Sequence, residues 1–186
     1  MASTVHICNL ALAKLGAKSI ESLDENSKEA RLCSLFYESV RDDLLRAHPW
    51  GFAAARAVLA RLSDGPAFGY SAAFQLPADC LKVRTLNEDP AALFAVEGRA
   101  LLTDEAAARI TYTARLQDPT GFDPLFVQAL AARLAAELCV PIAKSAALSD
   151  RLWRVSEAMG ERAALEDARE GSAQVVTPNP YLTARS

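Results

Sequence analysis

Histidine is nearly missing from this chain: only His6 and His48 occur among 186 residues. Neither has the spacing of a metal site, which takes three or four convergent ligands, nor sits beside a nucleophile motif. His6 therefore reads as a helical surface residue and His48 as part of a corner. The four cysteines, Cys8, Cys33, Cys80 and Cys139, show no Cys-x-x-Cys spacing, which argues against zinc. Cys8, Cys33 and Cys139 fall among apolar residues on helical stretches, where a free thiol acts as a small buried hydrophobe. A reducing compartment fits this usage better than a disulfide framework.

Positive charge is short as well. With 20 Lys and Arg against 23 Asp and Glu the net charge is −3, so the broad positive field of a duplex-binding domain is missing. Aromatic residues make up only 7% while hydrophobic residues reach 51% with alanine prominent, a balance that favours closely packed helices over a β-sandwich. No apolar run approaches the roughly 18 residues of a membrane span, and the first six residues lack the charged and apolar regions of a signal peptide. No Gly-rich phosphate loop is expected, because Gly65 and Gly69 bracket a proline and aromatic residues instead of opening a helix. No serine nucleophile elbow occurs. The acidic clusters Glu21, Asp24, Glu25 and Glu166, Asp167, Glu170 read as a solvated turn and a solvated helix end. On these grounds no catalytic, cofactor-binding or metal-binding residue is nominated, and an enzyme is not expected.

What the chain does have is a marked corner, Leu44-Leu45-Arg46-Ala47-His48-Pro49-Trp50-Gly51-Phe52-Ala53. Pro49 has no N–H and biases His48 away from helical angles, so the preceding helix should stop near Ala47. Trp50 and Phe52 give the corner an aromatic plug, each worth about 1.5–3 kcal/mol if buried. Pro49, Trp50 and Phe52 are thus structural anchors.

Around that corner the apolar spacing predicts a helix over 4–15, with Val5, Cys8, Leu12 and Leu15 on one stripe and Gly16 as its stop. A second helix starts at a cap on Asn26 or Asp24 and runs to Pro49, with Ala30, Cys33, Tyr37, Val40 and Leu44 inward and Arg31, Glu38, Arg41 and Asp42 mostly off that face. The Ala, Leu and Arg content of 52–62 predicts a further short helix. On that reading Arg41, Arg46, Arg56 and Arg61 scatter round helices, free to form ion pairs. From Ser63 the turn residues Asp64-Gly65-Pro66 open a region of short strands: 68–76, 81–86, 93–96, 100–103 and 109–113. Asp123 followed by Pro124 starts a helix whose core stripe is Phe126, Leu130, Leu134 and Leu138. Pro141 should end it. Ser145 or Ser149 caps the last helix, which runs to about Glu170 with Gly171 as stop. Residues 172–186 have no helical period and carry Pro178 and Pro180.

The expected fold is mainly α (α+β). It combines an antiparallel helical bundle from 1–62 and 122–170, a small inserted β-module over 63–121, and an extended C-terminal arm over 171–186.

Several blocks, in order, resemble the tail tubular protein A family of tailed phages. They are Asn9-Leu10-Ala11-Leu12-Ala13-Lys14-Leu15-Gly16-Ala17, Ser27-Lys28-Glu29-Ala30-Arg31, the corner from Val40 to Ala53, Gln75-Leu76-Pro77-Ala78-Asp79, and Phe122-Asp123-Pro124-Leu125-Phe126 leading into 132–138. The sequence departs from that pattern at Gly51, where asparagine is commoner, and at Phe74, where tyrosine is commoner. The resemblance implies a head-to-tail adaptor: a homo-oligomeric, dodecameric ring below the portal protein that extends the DNA channel and receives the tail nozzle or a tail-completion protein. It implies no catalytic residues and no cofactor. It places the chain in the virion at the head-tail junction, and in the host cytoplasm before assembly, with no membrane partner; a monomer is expected at that stage, since a premature ring would have to thread onto a preformed site. An acidic balance suits a lumen through which DNA passes without specific binding. Val175, Val176, Pro178, Tyr181 and Leu182 are candidate contacts of the arm with the portal or a neighbouring subunit, the other reading being a free terminus. A small bacterial helical scaffolding or regulatory domain is the alternative function.

Overall fold

The computed structural model describes residues 2–170; residue 1 and residues 171–186 lie outside the described residues, and with them the candidate contacts Val175, Val176, Pro178, Tyr181 and Leu182. Helix α1 spans Thr4–Lys14 and is capped by Ser3, whose side chain accepts from the His6 N–H. It ends at Gly16, held at φ 66°, with the Ala17 N–H reaching back to the Leu12 carbonyl. A side chain would be strained in that left-handed conformation, so the glycine is the stop that the sequence suggests.

Helix α2 spans Lys28–Ala47. Its cap is Ser27, extended at φ −119° and accepting from the Ala30 N–H at 3.2 Å, and not Asn26 or Asp24. Asn26 instead accepts from the Arg31 guanidinium at 3.3 Å. The helix stops at His48, which is extended (φ −131°, ψ 149°) ahead of Pro49. One expected outward residue is inward: Arg41 is only 3% exposed, and it is paired with Asp42.

A single 3-10 turn, Gly51–Ala53, follows the corner, and the chain then enters strand β1, Ala54–Val58. This overturns the short helix expected over 52–62. Alanine and arginine favour a helix locally, but β1 pairs along its whole length with β6 (Arg109–Ala114), and tertiary pairing outweighs propensities of roughly a few tenths of a kcal/mol. Arg56 therefore stands on a strand and Arg61 in a bridge to Phe74, so the four arginines do not share helical surroundings.

The remaining strands are β2 (Ala72–Gln75), β3 (Cys80–Leu86), β4 (Ala95–Glu97) and β5 (Ala100–Thr103). They form two antiparallel three-stranded sheets, ordered β1-β6-β3 and β2-β5-β4. Residues 59–62 join the sheets at one side: the Leu59 N–H donates to Ala108, the Leu62 N–H to Ala73, and the Gln75 N–H to Ala60. Between them lies a core of their own, built on Leu59, Phe74, Leu76, Leu86, Leu101 and Ile110.

Helix α3 spans Pro124–Ala143, with Asp123 accepting from the Leu125 and Phe126 N–H groups at 2.7 and 3.2 Å. The expected stripe Phe126, Leu130, Leu134 and Leu138 is fully buried, and so are Ala129, Ala131, Ala132 and Ala135, which let the other three helices pack closely on it. Pro141 does not end the helix. It sits in the last turn, where its missing N–H costs one bond only, and its own carbonyl accepts from the Lys28 ammonium. The chain leaves α3 through Lys144 at φ 54°. α3 is long and apolar enough to cross a membrane, contrary to the expectation that no run approaches that length, and it serves here as the core helix.

Helix α4 spans Ala146–Glu170. Ser145 is its cap, accepting from the Leu148 N–H, whereas Ser149 is buried and donates to the Ala136 carbonyl of α3. With about 48% of the described residues in helix, 18% in strand and two sheets around a separate core, the fold is α+β and not a helical bundle carrying a small module. The strands enclose apolar side chains of their own, so the β-region is a second packed unit and not an appendage of the helices.

Candidate functional site

The corner after α2 is a joint between three parts of the molecule. Trp50 is 1% exposed, and its indole N–H donates to the Leu44 carbonyl at 2.9 Å, one of the carbonyls in the last turn of α2. Its ring lies edge-on to Phe126 of α3 at 5.1 Å, and Phe126 in turn meets Phe52 and Phe122 at 5.1 Å each. The two expected aromatic anchors are thus brought together, Trp50 fully buried and Phe52 half-buried. Pro49 is exposed and acts through the backbone alone.

Two polar residues absent from the sequence-based candidates complete the joint. Asp167 of α4 accepts the Gly51 N–H on both carboxylate oxygens, at 2.8 and 3.0 Å. The same carboxylate lies 3.5 Å from His48 Nε2. A Cβ at Gly51 would stand 3.2 Å from the nearer Asp167 oxygen, so the glycine leaves room for this grip. Arg84 of β3 donates to the Trp50 carbonyl at 2.7 Å and to Thr113 Oγ1 of β6 at 3.0 Å, tying the corner to the first sheet. Burial pulls the Arg84 pKa down, against the pull of Asp167, and burial likewise lowers the His48 pKa although Asp167 opposes it. No local motif marks either residue; Asp167 lies 116 positions from Gly51, among the acidic residues that read as a solvated helix end.

A second link joins the same two units. Asp42 accepts from Arg41 Nε at 2.8 Å with one oxygen and from Arg115 Nε at 2.6 Å with the other. It holds the buried Arg41 charge and fixes the end of β6 to α2.

A cleft of about 370 Å³ opens beside the corner, between α2 and α4, with His48, Ser156, Glu157 and Glu161 in its wall. This is not nucleophile geometry. The Ser156 hydroxyl donates to the Trp153 carbonyl of its own helix at 2.7 Å, and His48 faces Asp167. Among the described residues no three His, Cys, Asp or Glu side chains are placed to hold a metal ion. All four cysteines are buried and free; the hydrogen bond to Cys33, and then burial, hold the Cys8 thiol protonated far above the usual range.

The surface offers contact area instead. Phe68 is 89% and Leu93 80% exposed, with Val58 and Val96 also outward on the β-unit, and Leu35, Val140 and Leu165 outward on the helices. Exposed apolar side chains on several faces are the raw material of interfaces. No protein-family model and no curated protein matches this chain.

Proposed function

We propose that this chain is a structural head-to-tail adaptor of a tailed phage or phage-like particle. Copies of it close into a dodecameric ring beneath the portal protein, extend the DNA channel and dock the tail nozzle or tail-completion protein. It works without catalysis or cofactor. It acts in the virion at the head-tail junction after a monomeric stage in the host cytoplasm.

The observation that carries this reading is the ordered set of sequence blocks, of which the corner at 40–53 is the most distinctive. Three features of the fold support it. The corner block is where α2, α4 and the first sheet meet, so its residues are the ones on which the relative placement of the two units depends. Apolar side chains are exposed on both units, as lateral contacts in a ring require of each copy. The net charge of −3 suits a wall that DNA must slide past.

The test is co-expression with the portal protein encoded by the same genome, followed by native mass measurement. A portal ring carrying a full ring of this chain is expected, and deletion of 171–186 should weaken that attachment. Separate elution of the portal and an intact monomer would remove the adaptor reading.

A further inference from the structure

Sheet one ends in β3 and sheet two ends in β4, and among the described residues each of these strands has only one strand partner. The sheets are joined through 59–62 on the side of β1 and β2, which leaves β3 and β4 as the outer strands of the opposite side. A groove of about 420 Å³ runs there, walled by residues 80–83 of β3 and by β4 with the 98–99 turn.

Its charge is one-sided. Arg46, Lys82, Arg99 and Arg115 line it, and no carboxylate does. Arg46 spends its guanidinium on the Leu81 carbonyl, and Arg99 donates to the Cys80 and Pro77 carbonyls. Carbonyl acceptors fix these side chains without cancelling their charge. Among the described residues only Arg115 has an acidic partner, Asp42, and the nearby Asp79 carboxylate accepts from the Tyr112 hydroxyl at 3.2 Å. In a chain of net charge −3 this local surplus of cations stands out. Between them the groove is apolar, with Phe94 and the outward Val96 in its wall.

We propose that this groove is a docking site for an extended acidic peptide segment of a partner protein, with carboxylates on the cations and alternate apolar side chains on Phe94 and Val96. The Cys80 and Leu81 carbonyls are already taken by Arg99 and Arg46, so a segment laid in the groove is held chiefly through its side chains: its pleat sends alternate side chains to opposite sides, and the pre-fixed guanidinium groups supply selectivity for acid. A nucleic acid fits less well: the cations are confined to one groove with an apolar wall, and the rest of the molecule repels a polyanion.

The probe is the blocked hexapeptide Val-Glu-Val-Glu-Val-Glu, titrated into the isotope-labelled full chain and followed by amide chemical shifts. Saturable shifts centred on 80–83 and 96–99 are expected, with affinity on the order of tenfold lower for the Gln-for-Glu peptide. Lys82 is exposed and holds up no carbonyl, so Lys82→Glu should lower affinity by a similar factor with an unchanged melting temperature. Val96→Glu should abolish binding. Absence of shifts, shifts elsewhere, equal affinity for the neutral peptide, or tighter binding of an octathymidylate at these residues would each overturn the assignment.

Discussion

The two units of this molecule hold together in different ways. The helical unit wraps α3 in the other three helices, and its core runs without a break from Ile7 and Leu12 through Tyr37 and Leu45 to Leu138. The β-unit encloses a much smaller cluster, and the main-chain joint between its sheets lies at 59–62, with the Arg99 side chain bridging to Cys80 on the other side. The first unit is secured by apolar packing. The second is secured to it largely by guanidinium and carboxylate groups: Arg84 on Trp50, Arg46 on Leu81, Asp42 on Arg115. Hydrophobic burial sets how much stability there is, whereas these directional contacts set where the sheets sit relative to the helices.

The most damaging way to break the comparison is at the residue both units share. Trp50→Ala removes a buried indole from the aromatic cluster and should cost about 3–5 kcal/mol in a urea titration, lowering the helical and sheet signals together. Separate transitions, with the sheet signal unmoved, would mean that the corner serves the helices alone. Asp42→Ala comes next. It strands the Arg41 charge, only 3% exposed, and should cost about 3 kcal/mol. Replacing Arg41 by Met in that background should recover part of the loss, and no recovery would show that the packing of Asp42, and not its charge, matters.

The difference between the units also decides what the sequence reveals. Helix positions follow from local signals: a four-residue stripe from Phe126 to Leu138, a proline after Asp123, a glycine after Leu15. Each is written within one or two turns of the chain, so all four long helices are legible. The stretch 54–62 carries equally local signals for helix, and its partners lie beyond any helical turn, β2 more than ten residues on and β6 more than fifty. Sequence distance likewise hides Arg84 with Trp50, Arg115 with Asp42, and Asp167 with Gly51. Trp50 and Phe52 are readable as anchors because proline and aromatic residues sit side by side; their polar ties are not, because an arginine or aspartate on a surface-like stretch gives no sign of an acceptor supplied by another element.

Arg84→Met sharpens the division between the units. The loss of two charge-assisted bonds should cost about 1.5–3 kcal/mol, and its effect should be local. Amide exchange should quicken in β3 and β6 while α3 keeps its protection. Uniform quickening would show that the sheets are not separately tethered.

The smallest effect is a dependence on pH at the corner. His48 is partly buried, and burial lowers its pKa below the usual 6.5 despite the Asp167 carboxylate 3.5 Å away. The unfolded chain therefore takes up the His48 proton at a higher pH than the folded one. Where the unfolded state binds more protons, stability falls as pH falls, so this contribution is complete above about 6.5 and shrinks as pH drops through 6.5 toward the folded pKa. His48→Gln removes the titration and leaves every other group in place. The stability of the parent chain minus that of the variant should decline between pH 7.5 and 5.5, both values being approximate bounds of the window in which a histidine titrates. A difference that instead grows toward acid would mean that the Asp167 carboxylate outweighs burial, making the contact of α4 with the corner an ion pair formed on protonation.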